Sequence, residues 1–319
     1  MTPQGRPSSK KIRPEGNIVD KSGYELVDTK RIQSGRAIGL HVSISGRLKD
    51  SVERAKSVGC VKTFQIFTCS PRRWNAAPLL DEEVEEFLQG VKTNDYNVFC
   101  HMPYLPNLCS PDTKFYDQSV SVLTREIKRC NALEIRNLVL HTGSHLGTSV
   151  SDGHERFVRA CKKSIKDTAD VNVRLLIENS AGVKNSVGSR FEDIRSILEK
   201  IGVPERTGVC FDTCHAFASG YDLRSPKTVK QIAVEFDKII GIENLKLIHL
   251  NDSKGELGGS RDRHENIGEG RIGANGLKAV LLLDEFSQVP VILETPIEHE
   301  GDDKRNLAAA KSLMGMAPC

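Results

Sequence analysis

From Ala37 onward the chain alternates two patterns of hydrophobic spacing. Short, mostly apolar runs recur at Ala37–Val42, Lys62–Thr68, Tyr96–His101, Arg136–His141, Val173–Glu178, Gly208–Asp212, Leu245–Leu250 and Val289–Glu294. Near-continuous apolar runs of this length suit strands buried on both faces of a parallel sheet. Between them the spacing turns helical. Val84, Phe87, Leu88 and Val91 fall at i, i+3, i+4 and i+7, and Val120, Leu123, Ile127 and Cys130 repeat the pattern in the next segment. Asp81, Glu82 and Glu83 supply the acidic first turn that a helix N-terminus favours. Eight β-then-α units predict an α/β fold, a single closed (β/α)8 TIM barrel. A doubly wound open sheet is the runner-up, but it more usually has fewer units and a glycine-rich phosphate turn; no G-x-G-x-x-G follows the first run. No linker interrupts the alternation, so residues 37–319 are expected to form one domain.

The carboxyl ends of these runs bring in chemistry. The third ends in His101, the fourth in His141, the fifth in Glu178, the sixth in Asp212, the seventh in His249 followed by Leu250, and the eighth in Glu294. In a TIM barrel all these ends open into one bowl, where the active sites of the fold are built. One such histidine is ordinarily a hydrogen-bonding group in a polar barrel mouth. Six polar ends together are expensive to bury without an ion, and imidazole with carboxylate is a set suited to zinc or manganese. His215 lies three residues past Asp212, and Asp262 and His264 sit in the glycine-rich stretch GELGGSRDRHENIGEG. Five histidines and four carboxylates are too many for one ion of about four ligands and enough for two or three.

Composition narrows the class. The 319 residues are 38% hydrophobic and 27% charged, as in a soluble globular chain, and no apolar stretch reaches the length of a membrane span. The nine scattered cysteines read as reduced thiols of an intracellular protein: cytoplasmic in a prokaryote, nuclear or mitochondrial in a eukaryote. The net charge of +3 is unevenly spread. Residues 1–36 carry eight Lys/Arg against four acids, leaving 37 bases and 38 acids in the rest. Those first residues are expected to be a disordered basic extension. A nearly neutral body must bind an anion through local charge or bound metal.

The motifs around the strand ends resemble the endonuclease IV family of apurinic/apyrimidinic endonucleases. They run in order from GLHVSISG through FTCSPRRWNAAPL, HMPYLPNL, LHTGSHLG, LIENSAG, GVCFDTCHAFASGYDL, IHLNDSK and GSRDRHENIGEGRIG to VILETP. The resemblance implies a barrel with three zinc ions at its mouth, manganese being an alternative at one or more sites. His101 and His141 would hold the first ion, with Glu178 bridging to the second. Asp212, His249 and Glu294 would complete the second, and His215, Asp262 and His264 would hold the third. Glu178 and Glu294 would serve the catalysis directly. It further implies a monomer that acts on damaged duplex DNA at abasic sites or blocked 3′ ends and has no membrane role. Cleavage would fall 5′ to the abasic site, leaving a 3′-hydroxyl and a 5′-deoxyribose phosphate, alongside 3′-phosphatase and 3′-phosphodiesterase activity. Arg72, Arg73 and Tyr104 match loops that grip DNA, and Lys254, Arg261 and Arg263 would contact phosphate. Trp74 would pack the base of its loop, and Cys214 would be a core residue facing away from the metals. Two rivals share the fold: a sugar isomerase or epimerase with a two-metal site, and a purely structural metal barrel. The third ligand set argues against the first, and the DNA-gripping loops against the second.

Overall fold

The apolar runs pair as short parallel strands because each is too apolar to face water on either side. In the computed structural model, which describes residues 36–316, these are β1 (Ile38–Leu40), β2 (Thr63–Ile66), β3 (Asn97–His101), β4 (Asn137–His141), β5 (Arg174–Glu178), β6 (Thr207–Asp212) and β7 (Leu245–His249). A two-stranded antiparallel hairpin, β8 (Asp252–Ser253) and β9 (His264–Glu265), precedes the last of them, β10 (Val291–Leu293). The sheet order is β1-β10-β7-β6-β5-β4-β3-β2. Its two edges meet, with His41 bridged in parallel to Gln65 and the Val42 N–H donating to the Gln65 carbonyl at 2.8 Å. The sheet therefore closes into the expected barrel. All of these strands except β6 are shorter than the apolar runs. Val42, Thr68, Leu250 and Glu294 lie beyond the ladder, still buried or half-buried in the barrel mouth. The hairpin was not legible in its glycine-rich sequence.

Helices follow the strands as the spacing predicts. Helix Asp81–Thr93 begins at the acidic triplet and turns Phe87 inward, and helix Thr113–Ala132 buries Val120, Leu123, Ile127 and Cys130. The second of these also staples the loop after β2. The Arg129 guanidinium donates to the carbonyls of Thr68 and Ala77, and that of Arg125 to the carbonyl of Trp74. Trp74 packs edge-on against Phe115 at 5.0 Å, the loop-base role its sequence context implies.

Period-two alternation decides what faces the barrel axis. Phe99, Val139, Leu176, Cys210, Leu247 and Ile292 form an apolar layer there, one residue from each of six strands. Each stands two residues before a mouth group: His101, His141, Glu178, Asp212, His249 or Glu294. Successive inward positions on a strand are two apart, so these six groups form the next layer up.

Arg36, expected in the extension, is part of the barrel packing. Its buried guanidinium donates to the carbonyls of Val289 and Leu281. The expected disorder of the remaining extension lies outside the described residues. The eight described cysteines are buried and unpaired, and no described helix is long and apolar enough to cross a membrane.

Candidate metal centre

Register sets the first relationships among the mouth groups. His141 lies beside Glu178 across the β4–β5 pair, and Asp212 beside His249 across the β6–β7 pair. Three sets made only of histidine and carboxylate result, the ligand atoms of each lying within 4.8 Å of one another: His101, His141 and Glu178; Glu178, Asp212, His249 and Glu294; and His215, Asp262 and His264. All nine residues singled out from the sequence thus converge, and Glu178 belongs to two sets. Its Oε2 is 3.0 Å from His141 Nε2 and 3.3 Å from His101 Nε2, and its Oε1 is 3.0 Å from His249 Nδ1.

The imidazoles are oriented by the groups behind them. His101 Nδ1–H donates to the Met102 carbonyl at 2.7 Å, and His215 Nδ1–H to the Asn179 carbonyl at 3.0 Å. His264 Nδ1–H donates to the Glu294 carbonyl at 2.8 Å. In each case Nε2 is the nitrogen that faces the bowl. His264 Nε2 is buried without any hydrogen-bond partner, 3.4 Å from Asp262 Oδ1. An orphaned buried nitrogen facing carboxylates, on a ring fixed through its other nitrogen, is the arrangement of a metal-ligating histidine. The donor set, five imidazoles with four carboxylates, fits zinc or manganese.

Local sequence explains how Asp212 and His215 come to share the bowl. Asp212 caps helix Thr213–Ser219, its Oδ1 accepting from the His215 N–H at 2.7 Å, so the first helical turn swings His215 back over the strand end. Asn251 donates to Asp212 Oδ2 at 2.6 Å and accepts from the Glu294 N–H at 2.8 Å. Asp262 and His264 are carried by the β8–β9 hairpin, whose anchor is the fully buried Asp252. The Asp252 carboxylate accepts from the N–H groups of Ser253 at 2.8 Å, Gly268 and Gly270 at 3.1 Å, Ile272 at 3.0 Å and Gly273 at 3.2 Å. Gly270 is needed there because a Cβ would stand 2.5 Å from Asp252 Oδ1.

The charges hold one another. Burial pushes Glu178 up, but His141 and His249 outweigh it and keep the carboxyl well below its usual range; Glu294 is held low against burial by His249. Asp262 falls to about 2, because the His215 hydrogen bond and charge exceed the cost of burial. Against burial, Asp212, Asp262 and Glu178 raise His215, and Cys210, Glu294 and Glu178 raise His249.

Of the expected DNA-contact residues, Tyr104 stands at this bowl. Tyr104 is 61% exposed, its ring 6.1 Å from that of His101 and 6.2 Å from that of His141. Arg72, Arg73, Arg261 and Arg263 are exposed. Lys254 is exposed too, with Glu265 at 3.9 Å and Glu298 at 3.8 Å. A cavity of about 340 Å³ opens beside the cluster between the 102–108 and 180–186 segments, with His141, Glu178, His215 and Asp262 in its wall. One expectation is corrected. Cys214 is buried, but its sulfur lies within 4.8 Å of ligand atoms of Asp212 and His264, because helix Thr213–Ser219 folds over the bowl. Its thiol stays protonated, since burial pushes its pKa up. The sequence reading missed Asn179, Asn251, Asp252, Gln65 and His41, which orient ligands without being ligands. The only sequence signal was their place beside the strand ends, or, for Gln65, a lone amide in an apolar run.

Residues 52–317 match the family described as the xylose isomerase-like TIM barrel. A protein named probable endonuclease 4 from Nitrosopumilus maritimus is 44% identical over 86% of this chain and 98% of its own. The crystal structure of endonuclease IV from Thermus thermophilus has a TM-score of 0.78 at 32% identity, covering 88% of this chain and 100% of that one. A D-tagatose 3-epimerase-like protein, at 19% identity and a TM-score of 0.66, covers 88% of this chain and 96% of its own and shares the fold alone. With nine metal-type ligands in one barrel mouth and relatives of this similarity, the chain belongs to the endonuclease IV family of apurinic/apyrimidinic endonucleases, hydrolases that cut DNA.

Proposed function

We propose that this protein is a zinc-dependent DNA repair endonuclease that hydrolyses the phosphodiester 5′ to an abasic site, leaving a 3′-hydroxyl and a 5′-deoxyribose phosphate. The observation that carries the reading is the third ligand set, His215, Asp262 and His264, standing beside two sets joined through Glu178. A sugar isomerase needs two ions at most and has no use for it. Three divalent ions against four carboxylates leave a local excess of positive charge in a nearly neutral body, which suits a phosphate.

His101, His141 and Glu178 would hold one ion; Glu178, Asp212, His249 and Glu294 a second; and His215, Asp262 and His264 a third. When bound, such ions supply Lewis acidity to a phosphate and make water nucleophilic near neutral pH. The chain's own groups do the placing. Glu178 ties two ligand sets to one carboxylate, and the fixed rings keep the sets from collapsing onto each other. The 340 Å³ cavity beside them gives an extrahelical sugar a walled place next to the ligands. Tyr104 and Arg72 would fill the base-pair gap, with Arg73, Lys254, Arg261 and Arg263 available to phosphates. Trimming of 3′-phosphates and 3′-phosphodiesters follows from the same phosphate site, and the protein acts as a monomer.

The test is incision of a duplex carrying one abasic analogue, with end-group mapping, before and after chelation and with zinc or manganese restored. One nick 5′ to the lesion, lost with chelator and regained with metal, is expected. Undiminished cutting after metal removal, or sugar epimerisation without nicking, overturns the proposal.

A further inference from the structure

We propose that Gln65 is a positioning residue that presets the coordinating atoms of His249 and Glu294; this rests on the metal-centre reading above. Gln65 is fully buried on β2, at an inward barrel position that branched apolar residues usually fill. A buried amide is costly unless its hydrogen bonds are made, and here they are. Gln65 Nε2 lies 2.6 Å from Glu294 Oε1 and 2.9 Å from His41 Nδ1, and Gln65 Oε1 lies 3.0 Å from His249 Nε2.

These contacts fix every proton. A carboxylate only accepts, so the side of the amide facing Glu294 is its NH2. His41 Nδ1 then accepts the second amide hydrogen, and the amide oxygen faces His249. His249 must carry its outer proton on Nε2, which leaves Nδ1 as the coordinating atom. Nδ1 points at the bowl, 3.0 Å from Glu178 Oε1 and 3.3 Å from Glu294 Oε2. One neutral side chain therefore selects the ligand atom of β7 and holds one oxygen of the carboxylate after β10. An apolar residue would strand the His249 N–H in a dry interior, and a carboxylate would repel Glu294.

The test is Gln65→Met, of similar size but without hydrogen bonds. In the zinc-loaded wild type, nitrogen-resolved NMR should find His249 bound through Nδ1 with a slowly exchanging Nε2–H; in the variant that proton loses its protection. Competition with a chromophoric chelator should show one zinc weakened 10- to 100-fold, the usual effect of losing an outer-shell partner, with the other ions unaffected. If Gln65→Met does not fold, Gln65→Glu should, and should show the same selective loss because it sets a second carboxylate against Glu294. Unchanged zinc affinities with an unchanged His249 signal in a folded variant overturn this role and leave the metal centre standing. A wild type that binds no divalent ion takes down both.

Discussion

Glu178 Oε1 lies 3.0 Å from Nδ1 of His249, while the second oxygen of the same carboxylate is turned toward the other side of the bowl. One buried side chain therefore meets ligands from three other strands, and its two oxygens are not interchangeable.

Replacing it tests that division. Glu178→Gln should keep the fold and slow nicking on the order of 100-fold or more, because a neutral amide cannot serve two cations as a carboxylate does. Zinc content should fall with it. Turnover near that of the wild type would remove Glu178 from the mechanism.

His264→Ala removes the ring whose Nε2 is buried and unpartnered. Elemental analysis should find about one ion fewer, and kcat should fall more than DNA affinity. Wild-type metal content with a wild-type rate would favour a two-ion site.

The metal-free protein should have a narrow window of stability. Glu178, Glu294 and Asp262 titrate below their usual range, so their contribution is present above about pH 4.5 and is lost as pH falls through the folded values. His215 and His249 titrate above theirs, so their contribution is complete below about pH 6.5 and is lost as pH rises through the folded values. Chelator-stripped protein should therefore melt highest between about pH 4.5 and 6.5. Zinc must displace the histidine protons, so its apparent affinity should climb above that window and its uptake should acidify an unbuffered solution. A stripped-protein Tm that rises from pH 7 to 9 contradicts this assignment.

Asp252→Asn turns an acceptor of backbone N–H groups into a partial donor facing them. A loss of about 1–3 kcal/mol is expected, read as a lower denaturation midpoint. The damage should reach the third ion first, since Asp252 holds the hairpin that bears His264. Equal weakening of all three ions would show a general rather than a local effect.

Deleting residues 1–35 removes seven Lys/Arg and four acids. Incision at saturating DNA should be unchanged, because every proposed ligand lies beyond the cut. Binding should weaken mainly at low salt. Loss of cutting with metal content intact would place part of the extension in the active fold.

The barrel was legible because its strands are nearly continuous apolar runs, and the bowl because six of those runs stop at a ligand-type residue. What the sequence concealed were groups that act through others. Gln65 looks like one polar position in FQIF, and only barrel closure brings it to Glu294 and His249, residues far away in the chain. Asp252 sits in a motif whose value could be seen, but its part in gathering the later glycine-rich segment is a long-range arrangement. Cys214 was misjudged because a strand-to-helix cap turns the chain sharply at Asp212 and brings its buried sulfur near Asp212 and His264.

The apolar layer two residues beneath the ligands has a further consequence. Phe99, Val139, Leu176, Cys210, Leu247 and Ile292 put apolar side chains beneath the bowl, a costly path for an ion, so exchange is expected through the open face that would meet the substrate. A docked duplex would stand in that doorway. A chelator should then strip the free protein faster than the same protein held on an uncleavable abasic duplex, and the ions should be retained for as long as the DNA stays.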